Sequence, residues 1–172
     1  KTVVKKNRMS LKPVVTGMWI GDKLSTLEQL CIKSFTSHGY DFQLYVYDDV
    51  KNVPAETTLK DGSQILPREK TALLGKHDMR GIAYFSDLFR YKLLYETGGW
   101  WVDMDTVCLK NIPLTDKPMV GSEGRPERKS LRDRLTGQRR FKGRSFANIG
   151  FLKFPAQTEV MNYCFVKSEE IL

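Results

Sequence analysis

The sequence predicts an α/β domain with a mainly parallel central sheet flanked by helices. Three observations carry this. Strand, helix and strand patterns follow one another over residues 12–47, the order of a parallel crossover unit. A second helix runs into a further strand through Gly98 and Gly99, within residues 86–107. The 172 residues, 41% hydrophobic and 28% charged, suit one globular domain large enough to bury a core without staples.

Residues 1–12 read as a loose basic arm with no apolar signal-peptide core, and residues 13–172 as a single domain. The first strand spans 12–20, where Val14, Val15, Met18, Trp19 and Ile20 are apolar, and Gly21 ends it. Trp19 therefore sits at a strand's C-terminal end, the edge at which open α/β sheets bind ligands. Its indole is either a stacking surface for a nucleotide base or a packed core residue. Ser25 and Glu28 form an S-x-x-E capping box for a helix that ends at His38 and Gly39. Residues 42–47 form a second strand that runs into Asp48, which either caps a turn or reaches a ribose hydroxyl. Residues 50–76, punctuated by Pro54, Gly62 and Pro67, read as a connecting segment. His38 and His77 have no partner at metal-ligand spacing.

The stretch 86–107, SDLFRYKLLYETGGWWVDMDTV, is the centre of the reading. Leu88, Tyr91, Leu94 and Tyr95 recur at helical spacing; the two glycines stop the helix, and residues 100–107 have strand character. In a strand, Asp103 and Asp105 point to one face. Two close carboxylates repel unless they share a proton or a hard cation such as Mn²⁺ or Mg²⁺; the plain alternative is a solvated surface pair. Asp87 and Arg90 lie three apart on the helix, and the glycine turn folds their face back toward the aspartates. Trp101 shares the aspartates' face and walls the pocket, while Trp100 points into packing.

Downstream, Met119 and Val120 suggest a short strand, and residues 146–154 a longer one that carries Asn148. Between them, residues 123–145 are dominated by arginine and lysine. They form either a solvated loop or a lid whose Arg128, Arg132, Arg139 or Arg140 holds phosphate or an acidic acceptor. Residues 158–172 look helical. The three cysteines, Cys31, Cys108 and Cys164, are odd in number and far apart, so they read as reduced and buried. This favours the cytoplasm, with a Golgi lumen the alternative. The net charge of +8 points to anionic partners: a nucleotide diphosphate, an acidic polysaccharide, or an anionic membrane surface. No apolar run approaches the roughly 20 residues of a membrane span.

The run S-D-x-x-R-x-x-x-L-x-x-x-G-G-x-W-x-D-x-D, residues 86–105, resembles the sugar-binding D-x-D region of glycosyltransferase family 32. More distantly it resembles the glucosylating domains of large clostridial toxins. The likeness extends to Met18, Trp19, Ile20 and Gly21 and to residues 44–48, covering most of residues 13–110. It implies a GT-A (Rossmann-like) fold and the retaining transfer of a hexose from a UDP- or GDP-sugar, with UDP ahead of GDP, to a glycan or lipid-linked acceptor. In that reading Asp105 ligates the metal, and Asp103 orients ribose, sugar or metal-bound water. Asp87, Arg90 and Ser86 hold the sugar, with Trp19, Asp48, Trp101 and Asn148 as further donor contacts. Family members continue past the last residue here, so the chain reads as a truncated or minimal catalytic domain.

Two other functions compete. D-M-D-T-V also resembles the nucleophile motif of haloacid dehalogenase-type phosphatases, with Asp103 attacking phosphorus and Asp105 as acid and base. Two strands precede it, however, where that motif normally occupies the first. The third reading is a basic anion- or nucleic-acid-binding module built on residues 123–145, which lack interleaved aromatics for base stacking.

Overall fold

The strand, helix, strand order is present at the start of the chain. β1 (Val14–Trp19) and β2 (Asp41–Val46) pair in parallel, Val14 opposite Asp41 and Trp19 opposite Val46. The intervening α1 (Thr26–Ser37) starts at the expected capping box. The Ser25 hydroxyl accepts from Leu27 N, and the Glu28 carboxylate accepts from Ser25 N at 2.6 Å. This computed structural model describes residues 13–70, 79–113, 115–124 and 145–170. The basic arm, His77, and Arg128, Arg132, Arg139 and Arg140 lie outside the described residues.

Three elements differ from the sequence reading. Residues 57–61, expected to be part of a connecting segment, form β3 (Thr57–Asp61), parallel to β2. Its T-T-L-K-D sequence carries one large apolar residue, Leu59, which is half exposed, so an edge strand held by backbone pairing left no hydrophobic alternation to read. The central helix, α2 (Met79–Thr97), begins seven residues before Ser86. The strand after the glycines, β4 (Gly99–Val102), ends before the aspartates instead of running to residue 107. There the chain turns: Asp103 N still donates across to Gly150 O at 2.8 Å, but Asp103 O accepts from Thr106 N at 2.9 Å. Asp103 and Asp105 thus lie in a turn, and the same-face argument from strand periodicity does not apply to them.

β5 (Met119–Gly124), β6 (Ser145–Phe154) and α3 (Glu159–Glu170) complete the described chain. The sheet order is β3-β2-β1-β4-β6-β5, with β6 antiparallel to both of its neighbours. The α/β class and the mainly parallel sheet are as the sequence predicts. The C-terminal ends of β1 to β4 share one edge, and the reversed β6 brings residues 148–150 to that same edge.

Both faces of the sheet are covered, as parallel sheets require. Val15, Phe42, Leu44, Trp100 and Val102 pack with Cys31, Ile32 and Phe35 of α1. On the other face Met18, Tyr45, Trp101 and Leu152 pack with Phe85, Leu88, Phe89 and Leu93 of α2 and Met161 of α3. The two adjacent tryptophans therefore anchor opposite layers. Gly98 closes α2 with φ 64, and a β-carbon there would meet Ala156 N at 2.5 Å, so the turn that aims α2 back over β4 requires glycine. The cysteines are free, as expected, although Cys164 is only half buried.

Candidate active site

The site is built around a buried cation. Arg90, 4% exposed, projects from the sheet-facing side of α2 at the edge where β4 ends. Nη1 pairs with Asp103 Oδ1 at 3.1 Å and donates to Ile149 O at 2.8 Å. Nη2 pairs with Asp87 Oδ1 at 3.0 Å and donates to Ser86 Oγ at 3.0 Å, while Nε donates to Ser86 O at 3.2 Å. The guanidinium also lies over the Trp101 ring, 5.2 Å from a centroid. One planar fork thus joins α2, the turn after β4, and β6. A buried charge is tolerated only with such full pairing, which makes the arrangement stiff.

Two expectations change in consequence. Arg90, expected to hold sugar hydroxyls, has all three guanidinium nitrogens engaged within the protein, where it braces Asp87 and Asp103. Trp101, expected to wall the pocket, is 1% exposed; its indole Nε1 donates to Asp103 Oδ1 at 2.9 Å and fixes that carboxylate from below. Trp100 packs in the opposite core layer, as predicted.

The carboxylates are not equivalent. Asp103 is held by Arg90 and Trp101 and is still about a third exposed. Asp87 is similarly exposed; partial burial lifts its pKa above the ordinary aspartate value, Arg90 pulls against that, and Asp103 adds to it. Asp105, two residues beyond Asp103, is exposed and has no hydrogen-bond or ion-pair partner among the described residues. Beneath the turn, the Cys31 thiol donates to Asp103 O at 3.7 Å. Burial, with smaller contributions from Asp105 and Asp103, pushes its pKa up to about 12, so it is a neutral prop rather than a nucleophile.

Asn148 lies beside this group: its Oδ1 accepts from Gly150 N at 2.8 Å. Trp19 and Asp48 stand at the ends of β1 and β2 on the same edge and make no hydrogen bond to the Arg90 group. Trp19 Nε1 donates to Lys23 O at 3.1 Å, and Asp48 accepts from Gly21 N at 3.1 Å while pairing with Arg68. Asp48 therefore ties the segment after β2 to the segments around Gly21 and Arg68. It also lines an open cleft of about 400 Å³ with Val46, Tyr47, Asp49, Lys60 and Asp61.

Among the described residues no three or more His, Cys, Asp or Glu side chains gather into a metal-binding group. The donor set still fits a divalent ion shared with a substrate, because such an ion commonly takes only one or two protein carboxylates and completes its shell with phosphate and water. Asp105 is a free carboxylate of that kind, whereas both Asp103 oxygens already face Arg90.

Residues 25–125 match the family described as the glycosyltransferase sugar-binding region containing the DXD motif. The chain belongs to that family. Such a region points in general to a divalent metal and a nucleotide-sugar donor. Among solved structures, the DXD domain is similar to the PaToxG glycosyltransferase, with a TM-score of 0.60 and 12% identity over 93% of this chain and 61% of that one. At that identity the likeness shows the fold, which is GT-A, and this chain spans 61% of the length of the solved protein. No curated protein matches the chain.

Sequence reasoning passed over three contributors: Gly150, the Ile149 carbonyl and Cys31. Of these only Gly150 left a mark, since a glycine inside the strand A-N-I-G-F-L signals a bulge or a close backbone approach.

Proposed function

We propose that the chain transfers a hexose from a nucleotide-diphosphate sugar to a glycan or lipid-linked acceptor. One observation carries the reading: an open carboxylate, Asp105, stands two residues from Asp103, which is locked to buried Arg90, at the C-terminal edge of a parallel sheet. Asp105 holds a divalent ion, Mn²⁺ or Mg²⁺. An ion held there would supply Lewis-acid charge to offset the negative charge of a diphosphate leaving group. Asp103 and Asp87, pre-aimed by Arg90, accept hydrogen bonds from ribose or sugar hydroxyls, so little orientation is lost when the donor binds. Asn148 presents its amide N–H groups to the same sugar while its oxygen serves Gly150. Trp19 and Asp48 take the nucleoside, with a UDP-sugar ahead of a GDP-sugar.

Transfer proceeds with retention by front-face attack. Asp87 and Asp103 are both paired with Arg90, which leaves no spare carboxylate nucleophile beside the metal ligand among the described residues. The net charge of +8 favours an anionic acceptor or the surface of an anionic membrane in the cytoplasm. No helix among the described residues is long and apolar enough to cross one.

Calorimetric titration of UDP and GDP with and without Mn²⁺ tests this on the wild type and on Asp105→Asn. The expected result is one nucleotide bound only with metal, with that binding lost in the variant. Metal-independent binding that survives Asp105→Asn would remove the assignment.

A further inference from the structure

We infer that Gly150 is a positioning residue: the bulge it forms in β6 is shaped to seat the Asp103 carboxylate, and no larger residue leaves that seat intact. The register shows the bulge directly. Val120 of β5 faces Leu152 and the next residue, Gly121, faces Asn148, so residues 149–151 are extra to a single step of β5.

The looped-out residues turn their polar groups toward the site. Ile149 O accepts from Arg90 Nη1, Gly150 O accepts from Asp103 N, and Gly150 N donates to Asn148 Oδ1, each at 2.8 Å. The bulge therefore touches both members of the ion pair and holds its own shape through Asn148. A β-carbon on Gly150 would lie 2.7 Å from Asp103 Oδ2, 3.2 Å from Asp103 Cγ and 3.0 Å from Asn148 Oδ1. The backbone of Gly150 is not in the left-handed region, so nothing but these contacts calls for glycine. The missing side chain is space that the carboxylate fills.

Asp103 cannot yield freely. Its other oxygen is fixed by Trp101 Nε1 and Arg90, so a methyl group at 150 rotates or lifts the carboxylate and breaks one of those bonds. The effect reaches the reaction through Asp103, and it rests on the proposed role of that residue in orienting the donor.

Gly150→Ala, Asp103→Ala and the double variant form the test. Three readouts are followed: the indole N–H signal of Trp101 by NMR, thermal stability, and nucleoside diphosphate release from UDP-glucose, UDP-galactose and GDP-mannose with Mn²⁺. Gly150→Ala is expected to move the Trp101 signal and to slow release on the order of a hundredfold, the scale of a 1 Å misplacement. In the Asp103→Ala background, where the carboxylate is gone and only the 3.0 Å contact with Asn148 Oδ1 remains, adding Gly150→Ala is expected to cost far less in stability and rate than it does alone.

An unmoved Trp101 signal, or a Gly150→Ala cost that persists in full without the Asp103 carboxylate, would overturn the inference. Should Gly150→Ala fail to fold, a folded double variant supports the inference and an unfolded one overturns it. If no nucleotide is bound or turned over, the proposed function falls, while the indole and stability measurements still decide the place of Gly150.

Discussion

Two charged pairs at one sheet edge are built in opposite ways. At the end of β4, Arg90 is buried, its guanidinium is saturated by two carboxylates, a hydroxyl and two carbonyls, and it stacks on Trp101. At the end of β2, Arg68 pairs with Asp48 beside an open cleft, with Arg68 about half exposed. Water reaches the guanidinium of the second pair and competes for it, whereas the guanidinium of the first is shielded and fixed. The difference divides the edge: a stiff half locks Asp87 and Asp103 in place, and a more compliant half borders the open cleft at the end of β2.

The largest effect is expected at the Arg90 group. Arg90→Met is expected to cost about 3–5 kcal/mol in chemical denaturation, because Asp87 and Asp103 are left without their shared cation. A loss below about 1 kcal/mol would mean that the hub is no stiffer than a surface pair.

Asp87 couples the same group to pH. Its folded-state pKa is raised, chiefly by burial, so the folded protein holds the proton more tightly than the unfolded chain does. The resulting stability is fully present below the ordinary aspartate value and is lost as pH rises through the raised one. Asp87→Asn should therefore flatten the decline in stability from about pH 4 upward. An unchanged slope in denaturation curves across that range would show that Asp87 does not feel its surroundings.

The smallest effect belongs to the other pair. Arg68→Ala is expected to shift stability by less than about 1 kcal/mol, and by less still at high salt. A salt-insensitive loss comparable to that of Arg90→Met would erase the contrast between the two halves.

Much of this architecture is legible in the sequence. Ser25 and Glu28 announced α1, the alternation in residues 42–47 announced β2, and Gly98-Gly99 announced the return from helix to strand. Each is a local signal: a cap, a period or a backbone conformation whose cause lies within a few residues. The D-x-D run and its spacing from Asp87 and Arg90 were legible for the same reason. β3 was missed because an exposed edge strand needs no apolar alternation. The strand at 100–107 was read too long because its end is set by Gly150 O, Thr106 N and the Cys31 thiol, two of which come from distant parts of the chain.

Residue order alone sufficed for most of the elements, their succession, and which residues carry charge near the glycine turn. How those charges are paired and buried depended on the assembled fold. Arg90 became a buried brace because α2, the β4 turn and β6 close around it from three sides. Trp101 became a floor under Asp103 because the core covers its face. Asp105 was left open because the chain turns at Asp103 before β6 can pair with it. Local preference is written in neighbouring residues, whereas desolvation and partnership depend on groups that meet only when the sheet is assembled.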